Sequence, residues 1–341
     1  MSEIRKDMTF EEIVKDLKAG KYKPLYFLNG EEPFFIDQIT DLVERDALTE
    51  DEKAFNQMVM YGNEVNMTTI TDTARRFPVM AQRQVIIVRE AQNIRDFDNL
   101  LPYIDHLQMS TVLLFAYKNK KADKRRNVFK KLSASPHCIW LDSNKLYENK
   151  IPDWIMGYCQ STHHSITPKA AGILAESLGN DLSRIANEID KLALASEGEI
   201  DEILVEENTG ISKDFNTFEL QAAIIRKDFV KANRIANYFQ ANPRNNPLVL
   251  TVAMLFKYFL NLLTYHYQKK ATPNVQEMAR ILGINAFFMK DYTEGAKAYN
   301  AVKCAAIISL LREYDMKSKG VGNAGTSEGE LLKELIFKIM H

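Results

Sequence analysis

The segment best placed for nucleotide chemistry is a glycine-containing turn between a strand-like and a helix-like stretch, in YFLNGEEPFFID. A phosphate-binding P-loop here needs Gly, Lys and Ser or Thr at the fifth, sixth and seventh positions after its first glycine. Counted from Gly30, those positions hold Phe35, Ile36 and Asp37. No lysine is therefore available for the phosphates and no hydroxyl for Mg²⁺. The two glutamates that follow Gly30 would also repel a polyphosphate.

Other catalytic patterns are equally weak. The run VIIVRE, where an ATP-hydrolysing strand would end in acidic residues, ends instead in Arg89 and Glu90. The chain has no HExxH motif, and the neighbouring His163 and His164 would point about 100° apart on a helix. None of the three cysteines forms a Cys-x-x-Cys pair, which fits a reducing compartment. The sequence predicts no intrinsic catalytic site, no cofactor and no metal site.

Charge is balanced overall but concentrated locally. Lys plus Arg number 44 and Asp plus Glu 45, for a formal net charge of -1, which excludes a uniformly basic coat. One segment, KNKKADKRRNVFKK at residues 118–131, holds eight basic residues and one acid. Such a run can neutralise phosphates, but it can equally be a solvated helix face or a contact with a neighbouring subunit. The candidate DNA- or subunit-contacting residues are Lys120, Lys121, Lys124, Arg125 and Arg126, with Lys317 and Lys319 as weaker candidates.

Short apolar runs alternate with helical patterns in the first part of the chain. Runs of four to six apolar residues predict buried strands, and their alternation with helices predicts βα units in a mainly parallel sheet. After about residue 142 this pattern stops, and the apolar spacing becomes that of helices. The five predicted strands begin near Pro24, Phe55, Gln84, Thr111 and His137.

Several helix ends are also readable. Thr9 and Glu12 predict a capping box for a helix from Thr9 to Leu17. Asn66 is a predicted N-cap, and Pro78 is predicted to end the helix that contains Arg75 and Arg76.

The longest apolar stretch runs from Pro247 to Tyr267. Because Lys257 and Asn261 lie inside it, the sequence predicts a buried helix of a bundle rather than a membrane span. The polar N-terminus shows no apolar region of a signal peptide. The expected location is the cytoplasm, without contact to a membrane.

Five stretches together resemble one protein family. The sequence resembles the delta subunits of bacterial DNA polymerase III, the clamp-loader subunits that open the sliding clamp, over about residues 20–340. No single one of these stretches is specific for the family. Their order and spacing along the chain, together with the missing ATP site, make the resemblance specific. The stretches are YFLNGEEPFFID, RRFPVMAQRQVIIVRE, LGNDLSRIANEIDKLAL, DFNTFELQAAIIRKDFVKA and REYDMKSKG.

The resemblance implies an AAA+-related architecture, α/β followed by all-α. It implies a RecA-like parallel-sheet domain with a degenerate nucleotide site and the clamp contact over 1–142. A small helical lid domain would cover 143–211, and a helical collar domain for oligomerisation 212–341. The implied partners are the beta sliding clamp, the tau or gamma and delta-prime subunits, and primer–template DNA within the complex. The chain would be part of a DNA polymerase holoenzyme and would not itself hydrolyse ATP.

The resemblance also places the clamp contact. In the family, an apolar pair at the end of a helix inserts into a pocket on the clamp, and the segment FPVMAQRQ carries that pair to Val79 and Met80, directly after Pro78. The family usually has Phe at the second position, where this sequence has the more flexible Met. From the residues alone, apolar loop side chains are either packed down or kept for a partner.

Two other interpretations stay open. The chain could be a delta-prime-like subunit or another AAA+-related scaffold of a replication complex, which exposure of Val79 and Met80 would argue against. It could also be a nucleotide-using α/β enzyme with an unrecognised site, which nucleotide binding would reveal.

Overall fold

The computed structural model describes residues 8–196, 198–209, 212, 214–272, 274–323 and 325–341. The chain forms two compact units, of which the first ends at Leu146 and the second begins at Tyr147. The predicted domain boundaries at residues 142 and 211 stay predictions, and Ile211 lies outside the described residues.

The first unit is built on a five-stranded sheet. All neighbouring strands pair in parallel, in the order β2–β3–β4–β1–β5. Each of the five apolar runs forms a strand where the sequence predicts one, with small shifts at the ends. The strands are β1 (Leu25–Gly30), β2 (Gln57–Tyr61), β3 (Gln84–Arg89), β4 (Thr111–Lys118) and β5 (Cys138–Ser143).

Both faces of the sheet are covered, which explains why its central strands are apolar without alternation. Leu25 and Phe27 of β1 point into one core, while Tyr26 and Leu28 point into the other. The Phe27 ring stacks on Trp140 with a centroid separation of 4.7 Å.

In the described part of the first unit, six α-helices accompany these strands. The predicted capping box of the first is present, since the Thr9 N–H donates to Glu12 Oε2 at 2.9 Å and the Glu12 N–H to Thr9 Oγ1 at 3.3 Å. Asn66 caps the fourth helix as predicted, accepting from the Thr69 N–H at 2.9 Å. The helices are α1 (Phe10–Lys18), α2 (Pro33–Asp46), α3 (Glu50–Asn56), α4 (Met67–Ala74), α5 (Leu101–Asp105) and α6 (Asn127–Ala134).

The prediction of a strand from Phe55 onward is wrong at its first two residues. Phe55 and Asn56 are the last residues of α3, and β2 begins only at Gln57. A second capping box, formed by Thr49 and Glu52, starts this helix. The end of α3 cannot be recognised in the sequence before β2, because a short apolar run is compatible with a helix and with a strand.

The second unit is mainly helical. The predicted fold class, a parallel α/β sheet domain followed by helical domains, is therefore confirmed. Its helices are α7 (Ile151–Ser161), α8 (Pro168–Leu178), α9 (Leu182–Ala195), α10 (Glu202–Thr209), α11 (Thr217–Ile225), α12 (Phe229–Ala241), α13 (Leu248–Gln268), α14 (Val275–Leu282), α15 (Met289–Ala298), α16 (Ala301–Ser318) and α17 (Glu328–Met340).

The predicted end of all strand structure near residue 142 is wrong in one detail. Two-residue strands β6 (Ser165–Ile166) and β7 (Glu199–Ile200) pair in parallel, and both isoleucines are buried. Two residues are too few to show a sequence alternation, so this pairing has no readable signal.

The long apolar helix α13 packs against the rest of its unit. By length and composition alone it could cross a membrane. One face, which includes Leu255, Phe259 and Leu262, is fully buried in the core of the second unit. This is the buried bundle helix that the sequence predicts.

A charged junction connects three helices of the second unit. The Glu219 carboxylate on α11 lies 2.7 Å from Lys169 Nζ on α8 and also pairs with Lys231 on α12. Its side chain is only 13% exposed. Burial alone would raise the pKa of Glu219, but the hydrogen bonds from the two lysines outweigh burial, so its pKa is lowered.

We expect Glu219→Gln to destabilise the protein by about 1–2 kcal/mol at pH 7, because hydrogen bonds to a charged group are lost. A carboxylate with a lowered folded-state pKa stabilises above its unfolded pKa of about 4.3, and this stabilisation is lost as the pH falls through the folded pKa. The difference between variant and wild type should therefore shrink below pH 4 in urea denaturation.

The matched control is Glu313→Gln, which removes a half-exposed pair with Lys317 one turn away on α16. This substitution should lower the free energy of unfolding by less than about 0.5 kcal/mol. Equal stability of Glu219→Gln and wild type at pH 7 would show that this junction contributes nothing.

Candidate functional site

The turn after β1 is closed by the end of β5. Gly30 has φ 146°, and a Cβ atom there would lie 1.8 Å from the Ser143 carbonyl oxygen. The Glu32 N–H donates to that oxygen at 3.2 Å, and Ser143 Oγ donates to the Glu32 carbonyl at 2.6 Å. The backbone of β5 thus packs where a phosphate-binding loop would need open space.

The N-terminus of α2 is also occupied. Helix N-termini bind phosphates through free N–H groups and a favourable dipole. Here the buried Glu32 carboxylate accepts a hydrogen bond from the Phe34 N–H at 3.0 Å. The chain's own carboxyl group therefore stands where a phosphate would bind.

A charged cluster at the carboxyl edge of the sheet is paired within the chain. Lys118 Nζ lies 3.0 Å from Asp37 and 3.3 Å from Glu90. Burial alone would lower the pKa of Lys118, but hydrogen bonds to the two acids outweigh burial and raise it. The lysine stays charged and is held by this chain's own carboxylates.

A second network at the same edge centres on Asn29, which is buried. Its amide nitrogen donates to the Leu141 carbonyl at 2.8 Å and to Asp142 at 3.0 Å, and its oxygen accepts from the Ala122 N–H at 3.1 Å. Burial alone would raise the pKa of Asp142, but hydrogen bonds from Lys124, Trp140 and Asn29 lower it. These bonds join β1, β5 and the basic segment into one closed surface.

At the opposite, amino edge of the sheet, buried side chains determine where α4 ends. Gln84 Nε2 lies 3.3 Å from the Ala74 carbonyl oxygen and 2.7 Å from Thr111 Oγ1. Thr111 Oγ1 in turn donates to the Ala74 carbonyl at 2.8 Å. The last carbonyls of α4 are thereby satisfied by the first residues of β3 and β4.

The prediction that α4 contains Arg75 and Arg76 is therefore wrong. The helix ends at Ala74, and Pro78 lies four residues further on. The Gln84 side chain also bonds the Arg76 carbonyl, which holds the chain in a non-helical path before the proline. The contacts of Gln84, not the proline, end this helix.

The loop that follows exposes its apolar side chains. Val79 is 55% exposed and Met80 is fully exposed, while Pro78 is half-buried. Met80 also has φ 52°, a left-handed conformation that costs about 1–2 kcal/mol for a residue other than glycine. The two residues lie in a bend before β3. Of the two open interpretations, their exposure favours side chains kept for a partner.

Two further apolar side chains of this region are exposed, and sequence reasoning missed both. Phe55 at the end of α3 and Phe77 before the proline are each 77% exposed. Because Phe77 directly precedes Pro78 in a loop, its place in the sequence could have indicated that its side chain is exposed. Phe55 was hidden by its assignment to a strand.

The basic run 118–131 is largely neutralised in the folded chain. Besides Lys118, ion pairs connect Lys124 to Asp142 at 2.7 Å and Arg126 to Asp98 at 2.8 Å. Arg125 pairs with the single acid of the run, Asp123, at 2.8 Å. Lys120 and Lys121 are exposed and form no ion pair within the described part of the chain.

The weaker candidates give no second positive surface. Lys317 pairs with Glu313 at 2.6 Å and Lys319 with Asp315 at 2.8 Å, each within one helical turn. Among the described residues, no group of three or more His, Cys, Asp or Glu side chains could hold a metal ion.

Comparison with known proteins identifies relatives of the chain. Residues 26–141 match the family model for the DNA polymerase III, delta subunit. The DNA polymerase III subunit delta of Bacillus subtilis (strain 168) is 23% identical, with 97% of this chain and 96% of that protein covered.

The solved structure of the Bacillus subtilis DNA clamp loader delta protein has the same fold. It superposes with a TM-score of 0.51 at 22% identity, covering 97% of this chain and 99% of that chain. A Thermotoga maritima RuvB structure is more distant, with a TM-score of 0.37 at 15% identity over 84% of this chain and 83% of that chain. The chain is thus similar to the delta subunits of bacterial DNA polymerase III, and the resemblance drawn from its sequence is confirmed.

Proposed function

We propose that this chain binds the beta sliding clamp and opens its ring for loading on primed DNA, without hydrolysing ATP itself. The observation that carries the proposal is the exposure of Val79 and Met80 on a loop held against the amino edge of the sheet. A delta-prime-like scaffold without a clamp contact has no need for two exposed apolar side chains there. The relationship to clamp-loader delta subunits supports the same function.

The mechanism follows from differential binding. A ligand shifts a closed ring toward an open one only by binding the open form more tightly. Insertion of Val79 and Met80 into an apolar pocket supplies binding free energy, because each such side chain is worth about 1.5–3 kcal/mol when fully buried. The chain would use this free energy to favour a distorted ring, while the tau or gamma subunits bind and hydrolyse ATP.

Replacing both side chains tests the clamp contact. We expect Val79→Ala/Met80→Ala to weaken binding to the clamp of the same organism at least tenfold in surface plasmon resonance, because interface anchors cost about 2 kcal/mol or more on truncation. The double variant should also fail to speed release of the clamp from circular DNA. Circular dichroism verifies the fold.

The matched control is Val302→Ala/Met316→Ala, which truncates the same two residue types at exposed positions of α16. It should bind the clamp like the wild type. If the Val79 and Met80 variant binds equally well, the contact lies elsewhere; if the wild type does not bind, the scaffold interpretation replaces this one.

The closed nucleotide cleft predicts how the chain responds to ATP. Mg²⁺–ATP at millimolar concentration should leave the Tm unchanged, since Glu32 and the end of β5 occupy the phosphate position. A ligand at a hundred times its Kd would stabilise the protein by about 2.7 kcal/mol, which a melting curve detects easily. A rise in Tm, or binding heat in calorimetry, would favour a nucleotide-using enzyme instead.

A contact with primer–template DNA is proposed for Lys120 and Lys121, whose charges are free of ion pairs within the described chain. In an assembled clamp loader, Lys120→Ala/Lys121→Ala should reduce the slope of log affinity against log salt by up to about 2. Lys269→Ala/Lys270→Ala, another exposed adjacent pair, is the control. An unchanged slope would leave the basic run as a solvated face or a subunit contact.

A further inference from the structure

One buried side chain holds the exposed loop by its backbone. Asn56, the last residue of α3, is 5% exposed. Its Oδ1 accepts the Val79 N–H at 2.6 Å and its Nδ2 donates to the Val79 carbonyl at 2.9 Å. Nδ2 also donates to the Glu52 carbonyl at 3.0 Å. Both backbone polar groups of Val79 are thus bound by one carboxamide.

This pairing restricts the loop as a neighbouring strand would. Because the N–H and the carbonyl of Val79 are both held, rotation on either side of that residue breaks a hydrogen bond. Met80, the next residue, is in the left-handed region at φ 52°. A residue other than glycine persists there only when its surroundings determine its conformation.

The hydrogen bond from Asn56 to Glu52 is explained by the helix itself, since it satisfies a carbonyl at the end of α3. That bond needs only one N–H of Asn56. The two bonds to Val79 have no role in the helix, and they join segments 23 residues apart in sequence. They account for a loop that is ordered while its apolar side chains stay in solvent.

We infer that Asn56 is a positioning residue that pre-organises Val79 and Met80 for the apolar pocket of the clamp. The inference rests on the proposed function. A binding-competent conformation that is only partly populated weakens the apparent affinity by that fraction, and association slows accordingly. Loss of the carboxamide should therefore lower clamp affinity although Asn56 itself stays buried.

The test compares Asn56→Ala with Asn208→Ala. Asn208 on α10 donates to the carbonyl four residues earlier, at 2.9 Å, and so reproduces the helix-end bond without the loop. We expect Asn56→Ala to bind the clamp about five- to tenfold more weakly, mainly through slower association. Amide exchange of Val79 in the free protein should accelerate at least tenfold. Asn208→Ala should change neither measurement.

A double-mutant comparison separates positioning from general destabilisation. In a Met80→Ala background, where part of the anchor is already gone, Asn56→Ala should cost less than threefold in affinity. An equal loss in both backgrounds, or wild-type binding by Asn56→Ala, overturns the inference. If Asn56→Ala does not fold, Asn56→Asp carries the test, since it keeps the acceptor for the Val79 N–H but loses both donors; wild-type binding by Asn56→Asp also overturns the inference.

Failure of the proposed function is recognised separately. If Val79→Ala/Met80→Ala binds the clamp like the wild type, the contact is misplaced, whatever Asn56 does. If that variant is weakened while Asn56→Ala is not, the contact stands and the positioning role is wrong.

Discussion

The buried Gln84 amide fixes the place where the exposed loop begins. It binds carbonyl oxygens at the end of α4 and the Thr111 hydroxyl at the start of β4. Since Gln84 is itself the first residue of β3, the loop is attached directly to the amino edge of the sheet. A rigid sheet thereby positions two apolar side chains that a free loop would bury or leave disordered.

The two edges of the sheet have been adapted in opposite ways. At the carboxyl edge, where parallel α/β folds bind nucleotides, Glu32, Lys118 and Asn29 are bonded to the chain's own groups. At the amino edge, Val79 and Met80 face solvent. In the described residues, the place where such a fold would hold a phosphate is therefore occupied by the chain's own groups.

Some elements of the fold can be predicted from the sequence and others cannot. The five strands and the caps at Thr9 and Asn66 follow from local residue types, and the structure has them. The end of α4 does not, because the side chain that sets it comes ten residues after Ala74 in the chain. Nor can exposure of Met80 be read locally, since it depends on which surfaces the fold leaves uncovered.

The charge of the basic run is a second property that local residue types do not predict. The run 118–131 has a formal charge of +7 in sequence, but its pairing acids include Asp37, Asp98 and Asp142. These three acids lie in α2, between β3 and α5, and in β5, so only the folded chain brings them to the lysines and arginines. Local counting of charge therefore overstates the positive surface.

The two tryptophans of the chain fall one in each compact unit. Trp140 is buried in the sheet domain, stacked on Phe27, with its indole N–H donated to Asp142 at 2.8 Å. Trp154 is half-buried on α7 and stacks on Tyr158. Tryptophan fluorescence, excited at a wavelength that tyrosine does not absorb, therefore contains one emitter per unit in unlike surroundings. Replacing either indole by phenylalanine would leave a spectroscopic record of the other unit alone.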